Sequence, residues 1–408
     1  MYRPLRITPV DLNAGVFTVH NYLDFHQANE LLILRYELRQ NGRVIASGKV
    51  EPAQLAIAPH GDGQLRIPMP KGLRQPFAVY FETLQKCGSP LVEPGAVLGC
   101  EQHGVAVLPV ALPAETQADI AVSESVRYVD LTGPAFSCRY NKISGAFDQL
   151  TVNGTPMLLK PMHLNLWHAP TDNERKLKQV WHAYGYDSQL IRTYGTRISR
   201  QSDRVLLTTD LSVGPLAYKK VLEGTVCWTV HANGRLDAAF TMHKLSEQPA
   251  LPRFGVRLFL PRQLTDVTYF GMGPWESYLD KQQASVKHLY RSTVDDLYVE
   301  YLRPQEGGSH CDCDYLALSG GAYTAAVTGS GFSFNASRYT QEELERKGHA
   351  DELVPEQATV LCIDYAHNGI GSASCGPELD RKYRLTGDFC FGFSLFLGGE
   401  QGCGVSIG

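Results

Sequence analysis

Short runs of alternating apolar and polar residues, each closed by turn-forming residues, commit most of this chain to antiparallel sheet. Leu32-Ile-Leu-Arg-Tyr-Glu-Leu-Arg39, Val205-Leu-Leu-Thr-Thr-Asp-Leu-Ser212 and Gly224-Thr-Val-Cys-Trp-Thr-Val-His231 place every second side chain on one face. Asn41-Gly42, Asn153-Gly154 and Asn233-Gly234 punctuate such runs. An Asn-Gly pair between alternating segments is the strongest short hairpin signal, because both residues tolerate the positive φ that a tight turn requires. Helical periodicity is scarce. Only Thr340-Gln-Glu-Glu-Leu-Glu-Arg-Lys-Gly348 reads as a helix, with Thr340 as N-cap, Glu343 completing a capping box and Gly348 as the stop. The chain is therefore expected to be all-β.

Composition sets the outer limits. Hydrophobic residues make up 43% and charged residues 20% of 408, ordinary values for a globular protein. A net charge of −4 gives no electrostatic footprint for nucleic acid or an anionic membrane, and no run is long and apolar enough for a membrane helix. The first ten residues lack the apolar core of a secretory leader. Ten cysteines are scattered through the sequence rather than framed in a short one, which fits reduced thiols in a cytoplasmic protein.

The length suggests two or three domains. Residues 1–105 hold about seven strand-like runs, spaced as in an immunoglobulin-like β-sandwich; Phe17–Phe25 and Asn41–Val50 contain two of them. The Pro- and Ala-rich stretch 106–122 is expected to run as an extended linker. Residues 123–398 form one long antiparallel domain, and the glycine-containing segment 399–408 is expected to be a flexible tail.

Four blocks in the second domain stand out. They are Trp167-His-Ala-Pro-Thr-Asp-Asn-Glu174; Gly271-Met-Gly-Pro-Trp-Glu-Ser-Tyr-Leu-Asp-Lys281; Tyr298-Val-Glu-Tyr-Leu-Arg-Pro-Gln-Glu-Gly-Gly308; and Gly369-Ile-Gly-Ser-Ala-Ser-Cys-Gly-Pro377. In this order they resemble the C-terminal region of glycoside hydrolase family 2 β-galactosidases. Asp172, Asn173, Glu276, Tyr278, Asp280, Arg303 and Glu306 match the family motifs. His168, Glu174, Ser277, Lys281 and Gly307 depart from them. The resemblance implies that the second domain is a large antiparallel β-supersandwich of the galactose mutarotase-like kind. It also implies that the loop carrying Ser374, Cys375 and Gly376 lies near substrate. Cys375 stands where the family can carry a Trp. A thiol cannot stack on the apolar face of a sugar as an indole does.

The resemblance further places the catalytic carboxylates in a barrel domain that this chain does not contain. No β/α alternation is present from which to build one. The implied partner is a large chain with that barrel, acting jointly on terminal β-galactosides such as lactose. No cofactor is expected in this chain; the resemblance would put any divalent cation in the partner. Asp172, Glu174, Glu276, Asp280 and Glu306 are then read as structural. Asp172 and Asn173 are expected to accept backbone N–H bonds in a turn, and Glu276 and Glu306 to pair with Arg291 or Arg303.

Two other readings stay open. The chain is a non-catalytic carbohydrate-binding module or orphan fragment, or it is an aldose epimerase-like enzyme in which His163, His168 or His243 works with Glu306. His310-Cys-Asp-Cys-Asp314 offers zinc-type ligands, but its spacing lacks the usual second pair. No metal site is expected.

Overall fold

Within residues 5–104 the sequence alternation becomes two antiparallel sheets. One orders Leu5–Asp11, Val16–Asn21 and Asp62–Arg66; the other orders Arg43–Lys49, Leu32–Gln40, Ala78–Gln85 and Val97–Gly104. Their inner faces meet in a core that includes Phe17, Val19, Leu34, Leu38, Leu65, Val79 and Phe81. The Phe17 ring from the first sheet meets Phe81 of the second edge-on, with centroids 4.9 Å apart. Burying a side chain of this size contributes roughly 2–3 kcal/mol of transfer free energy. Asn41 and Gly42 both take positive φ, 52° and 74°, and turn Leu32–Gln40 back onto Arg43–Lys49 as a two-residue hairpin. The result is a seven-stranded sandwich.

This is a computed structural model describing residues 3–216, 219–245, 247–373, 375–399 and 403–407. The chain divides into two units. One comprises Met1–Pro109, Val286–Leu289 and Ile407–Gly408; the other comprises Val110–Ser285 and Tyr290–Ser406. The segment expected to be a bare linker carries a short strand, Val110–Ala111, and the expected tail carries another, Ser406–Ile407. Among the described residues no helix is long and apolar enough to cross a membrane.

The second unit is built on one broad antiparallel sheet. Its main path runs Lys160–Asn165, Arg253–Pro261, Ala358–His367, Tyr323–Ser337, Phe389–Gly398, Leu236–Lys244, Leu222–His231, Arg204–Pro215 and Gln189–Arg200. A smaller sheet, Ala121–Glu124 through Thr155–Pro156, covers part of it. Between the layers lie Tyr140, Phe147, Trp228, Phe240 and Phe393, all in one core. Phe147 meets Trp228 edge-on at 5.2 Å, and the indole N–H of Trp228 donates to the Gly145 carbonyl at 3.0 Å. A buried indole needs such a partner for its N–H.

Among the described residues of this unit two α-helices interrupt the strands, besides the one-turn helix Ala28–Leu31 of the first unit. Gln341–Arg346 has the expected cap, with the Thr340 hydroxyl accepting from the Glu343 N–H at 3.2 Å. The other, Arg175–Ala183, corrects the expectation of a single helix. Its sequence does carry a faint signal, since Leu177, Val180, Trp181 and Tyr184 follow helical spacing. Arg175, Lys176, Lys178, Gln179 and His182 mask that stripe. Trp181 anchors the helix, fully buried and donating to the Ala250 carbonyl at 2.8 Å.

Candidate functional site

The four sequence blocks, spread over more than two hundred residues, converge on one cleft. Thr171, Asp172, Asn173, Asp280, Lys281, Tyr301, Gln305, Glu306, Ile370 and Gly371 line a volume of about 370 Å³. A larger cleft, about 600 Å³, opens beside the turns at Asn153 and Asn233–Gly234. It contains none of the motif residues, so volume alone is a poor guide here.

Each block is shaped locally before it joins the others. The first ends in a tight turn: the Thr171 N–H and hydroxyl both donate to Glu174 Oε2, at 2.9 and 3.1 Å, and the helix Arg175–Ala183 follows. The second closes on itself through paired backbone bonds between Tyr278 and Lys281, at 3.0 and 2.9 Å. The third is tied to the first twice. The Glu306 N–H donates to the Ala169 carbonyl at 2.9 Å, and Gln305 Oε1 accepts the Asp172 N–H at 3.0 Å.

The fourth block is held by the first two. Asp280 Oδ1 accepts the Ile370 N–H at 2.9 Å; its Oδ2 accepts the Gly371 N–H at 2.9 Å and the Ser372 hydroxyl at 3.1 Å. From the opposite side Asn173 Nδ2 donates to the Ile370 carbonyl at 2.8 Å. Asn173 therefore donates through its side chain, and Asp172 engages Gln305 through its own N–H. The acceptor roles expected from the sequence are not the ones these two residues play. Beyond this clamp Cys375 and Gly376 are exposed, and Ser374 lies outside the described residues.

The carboxylates also differ from expectation in their partners. Glu276 receives Lys281 Nζ, the Tyr301 hydroxyl and, at 2.8 Å, the Gly308 N–H. Glu306 accepts the Tyr278 hydroxyl at 3.2 Å and lies 3.6 Å from Arg253. Lys281 and Arg253 thus replace Arg291 and Arg303. Arg303 itself is exposed, away from the cleft lining. Sequence proximity could not reveal Arg253, which a neighbouring strand delivers from more than fifty positions away.

Beneath the cleft lies a charged core. Arg253 and Asp364 are fully buried, with Nη2 and Oδ2 2.5 Å apart. His168 and His367 stack with ring centroids 5.8 Å apart, and His168 Nε2 meets Glu174 Oε2 at 3.0 Å. Burial would push the Asp364 carboxyl up, but the Arg253 charge, with the His367 ring 3.4 Å away, holds it below the usual range. Burial also opposes protonation of His168, yet the Glu174 charge prevails and raises it. His367 stays low through burial and the neighbouring Arg253 charge. Tyr278 is raised well above its ordinary value by burial and by Glu306.

This geometry removes the histidine–glutamate pairing considered above. His168 bonds Glu174; His163 Nε2 faces Arg257 Nε at 2.8 Å; His243 pairs with Asp388 at the surface, 3.1 Å away. Two of the three acids that line the cleft are likewise engaged, while the exposed Asp172 joins the wall through its N–H. Both Asp280 oxygens hold backbone, and Glu306 is locked between Tyr278 and Arg253. A retaining glycosidase needs two carboxyl groups about 5 Å apart, one free to give a proton and one free to attack. The arrangement can instead shape a wall and present a loop. Among the described residues no group of three or more His, Cys, Asp or Glu could hold a metal ion.

Comparison with known proteins adds three findings. The family model described as β-galactosidase small chain matches residues 132–395, and that for β-galactosidase domain 4 matches residues 17–106. A β-galactosidase of Actinobacillus pleuropneumoniae is 32% identical over 386 residues, 94% of this chain and 38% of that protein. One of Staphylococcus xylosus is 35% identical over 271 residues, 66% of this chain and 27% of that protein. The chain thus spans well under half the length of these curated relatives. Among solved structures, a galactose 1-epimerase from Lactobacillus acidophilus NCFM aligns with 71% of this chain and 98% of its own. Its identity is 9% and its TM-score 0.37, too low to carry an argument.

Proposed function

We infer the role of this chain from its family: it belongs to the β-galactosidases, through their small-chain domain. We propose that it is the C-terminal portion or small subunit of such an enzyme. It acts with a barrel-carrying segment that holds the bond-breaking carboxylates. The joint reaction is retaining hydrolysis of terminal β-D-galactosides such as lactose, in the cytoplasm. Any divalent cation would belong to the barrel segment.

One observation carries this reading. The four blocks form a single cleft wall in which Asp280 and Glu306 are engaged in holding structure, and the wall ends in an exposed segment at Cys375 and Gly376. That geometry supports a part that completes a pocket over one that cuts a bond. The short span relative to the curated relatives supports the same reading.

The test is reconstitution with a chromogenic β-galactoside. The purified chain is expected to be inactive, and activity is expected to appear with the complementary barrel segment from the same genome. Hydrolysis by the chain alone, or a well-folded mixture with no activity, would overturn the proposal.

A further inference from the structure

We propose that Asp280, with Asn173 opposite it, is a positioning residue that sets the segment Gly369–Ala373 and so fixes where Cys375 meets substrate. This rests on the functional reading above and deepens it. The argument is geometric. Asp280 accepts three hydrogen bonds from three successive residues of this segment, and Asn173 donates to the Ile370 carbonyl. A carboxylate that accepts two backbone N–H groups fixes the orientation of two consecutive peptide planes. The Ile370 side chain is buried beneath, so the segment is pinned at both backbone and side chain.

The packing agrees. At Gly369 an added Cβ would lie 2.6 Å from the Leu379 side chain and 2.8 Å from the Asp280 carboxyl carbon. The segment is therefore pressed directly onto the clamping residue, and no larger residue fits between them. Past the clamp, Ala373 adopts a φ of 75°, and Cys375 is exposed. Three separate blocks thus meet in one device: Asn173 from the first, Asp280 from the second, and the held segment from the fourth. Neither Asp280 nor Asn173 is assigned to the reacting atoms; each acts through the segment it holds.

The experiment has two arms. In the full chain, residue-resolved hydrogen exchange is measured at Ile370 and Gly371, with mass-spectrometric labelling of Cys375, for wild type, Asp280→Asn, Asn173→Ala and Ser372→Ala. Asp280→Asn replaces an acceptor by a donor facing an N–H, so exchange at those two amides is expected to rise about tenfold or more. Asn173→Ala is expected to give a smaller rise and Ser372→Ala the smallest, with faster Cys375 labelling in the same order. In the reconstituted enzyme, Asp280→Asn is expected to raise KM for a nitrophenyl galactoside about tenfold while changing kcat only about twofold, the pattern of lost ground-state binding.

Unchanged exchange at Ile370 and Gly371 would overturn the clamp. So would uniformly faster exchange across the whole unit, which marks a scaffold role. A loosened segment with unaltered KM in an active assembly would overturn its link to substrate. An inactive wild-type assembly falls on the functional reading instead, and the exchange arm still decides the clamp.

Discussion

Gly255 and Asp364 are register partners on neighbouring strands, and the carboxylate of one fills the space where a side chain on the other would stand. A Cβ at residue 255 would lie 2.0 Å from Asp364 Oδ1. That vacancy lets the carboxylate fold under the strand and reach Arg253. Both charges are out of water, so removing one strands the other. Asp364→Ala is expected to cost about 3–5 kcal/mol. Gly255→Ala is expected to cost about 1–3 kcal/mol by overpacking against the same carboxylate. Urea unfolding of the full chain measures both. Replacing the pair together, Arg253→Met with Asp364→Leu, should recover only part of the loss, because the buried Glu306 then lacks its cation. If the single Asp364 variant unfolds at the wild-type midpoint, the pair is not the keystone described here.

Two buried histidines are expected to titrate in opposite directions. Burial drives His310 down to about 4, with its ring held by the Met272 carbonyl at 3.0 Å. The unfolded chain takes up that proton near pH 6.5 and the folded one does not. Stability therefore falls as pH drops from about 6.5 to 4, by about 3 kcal/mol from this group. His168 is raised, so its contribution is complete below about pH 6.5 and is lost as pH rises through its folded value. Ring resonances followed by NMR across this range check both signs. Parallel titration of the two rings would refute the assignment.

The fold was legible in the sequence because strand alternation and Asn-Gly turns are local signals. Asn41–Gly42 turns where its residue types demand. The charged core was not legible, because it is assembled by register. Glu306 meets Arg253 only after segments more than fifty positions apart have been brought side by side, and Glu276 meets Lys281 only because a turn between them closes. The helix Arg175–Ala183 was hidden for a different reason. Its apolar stripe is thin and its stability comes from one buried indole, a tertiary contact that no propensity records. The motif residues were found by resemblance, but their roles followed from geometry: Asn173 donates, and Asp280 clamps.

At Gly369 a substitution tests the cleft directly. Gly369→Ala forces a methyl group against Leu379 and Asp280 and must displace one of them. Because the contact lies at the cleft wall, global stability is expected to change by only about 1–3 kcal/mol. Activity of the reconstituted enzyme is expected to fall at least about tenfold, since small displacements at a substrate wall cost rate steeply. Paired thermal melts and galactoside kinetics separate the two effects. Full activity with normal stability would show that this wall does not border substrate.

The exposed residue beyond the clamp offers the sharpest gain-of-function test. The resemblance of the fourth block implies an indole as the alternative at the position of Cys375, and that residue is exposed. Burying roughly 20–50 Å² of apolar ring against a galactose is worth about 0.5–1.3 kcal/mol, a factor of roughly two to ten in binding. Cys375→Trp in the reconstituted enzyme is therefore expected to lower KM for a galactoside two- to tenfold, by about that energy, with thermal stability unchanged. The effect should vanish when Asp280→Asn is added, because an unanchored segment cannot hold the ring over the sugar. If Cys375→Trp left KM untouched, or improved binding equally with the clamp removed, residue 375 would not face the substrate from a fixed position.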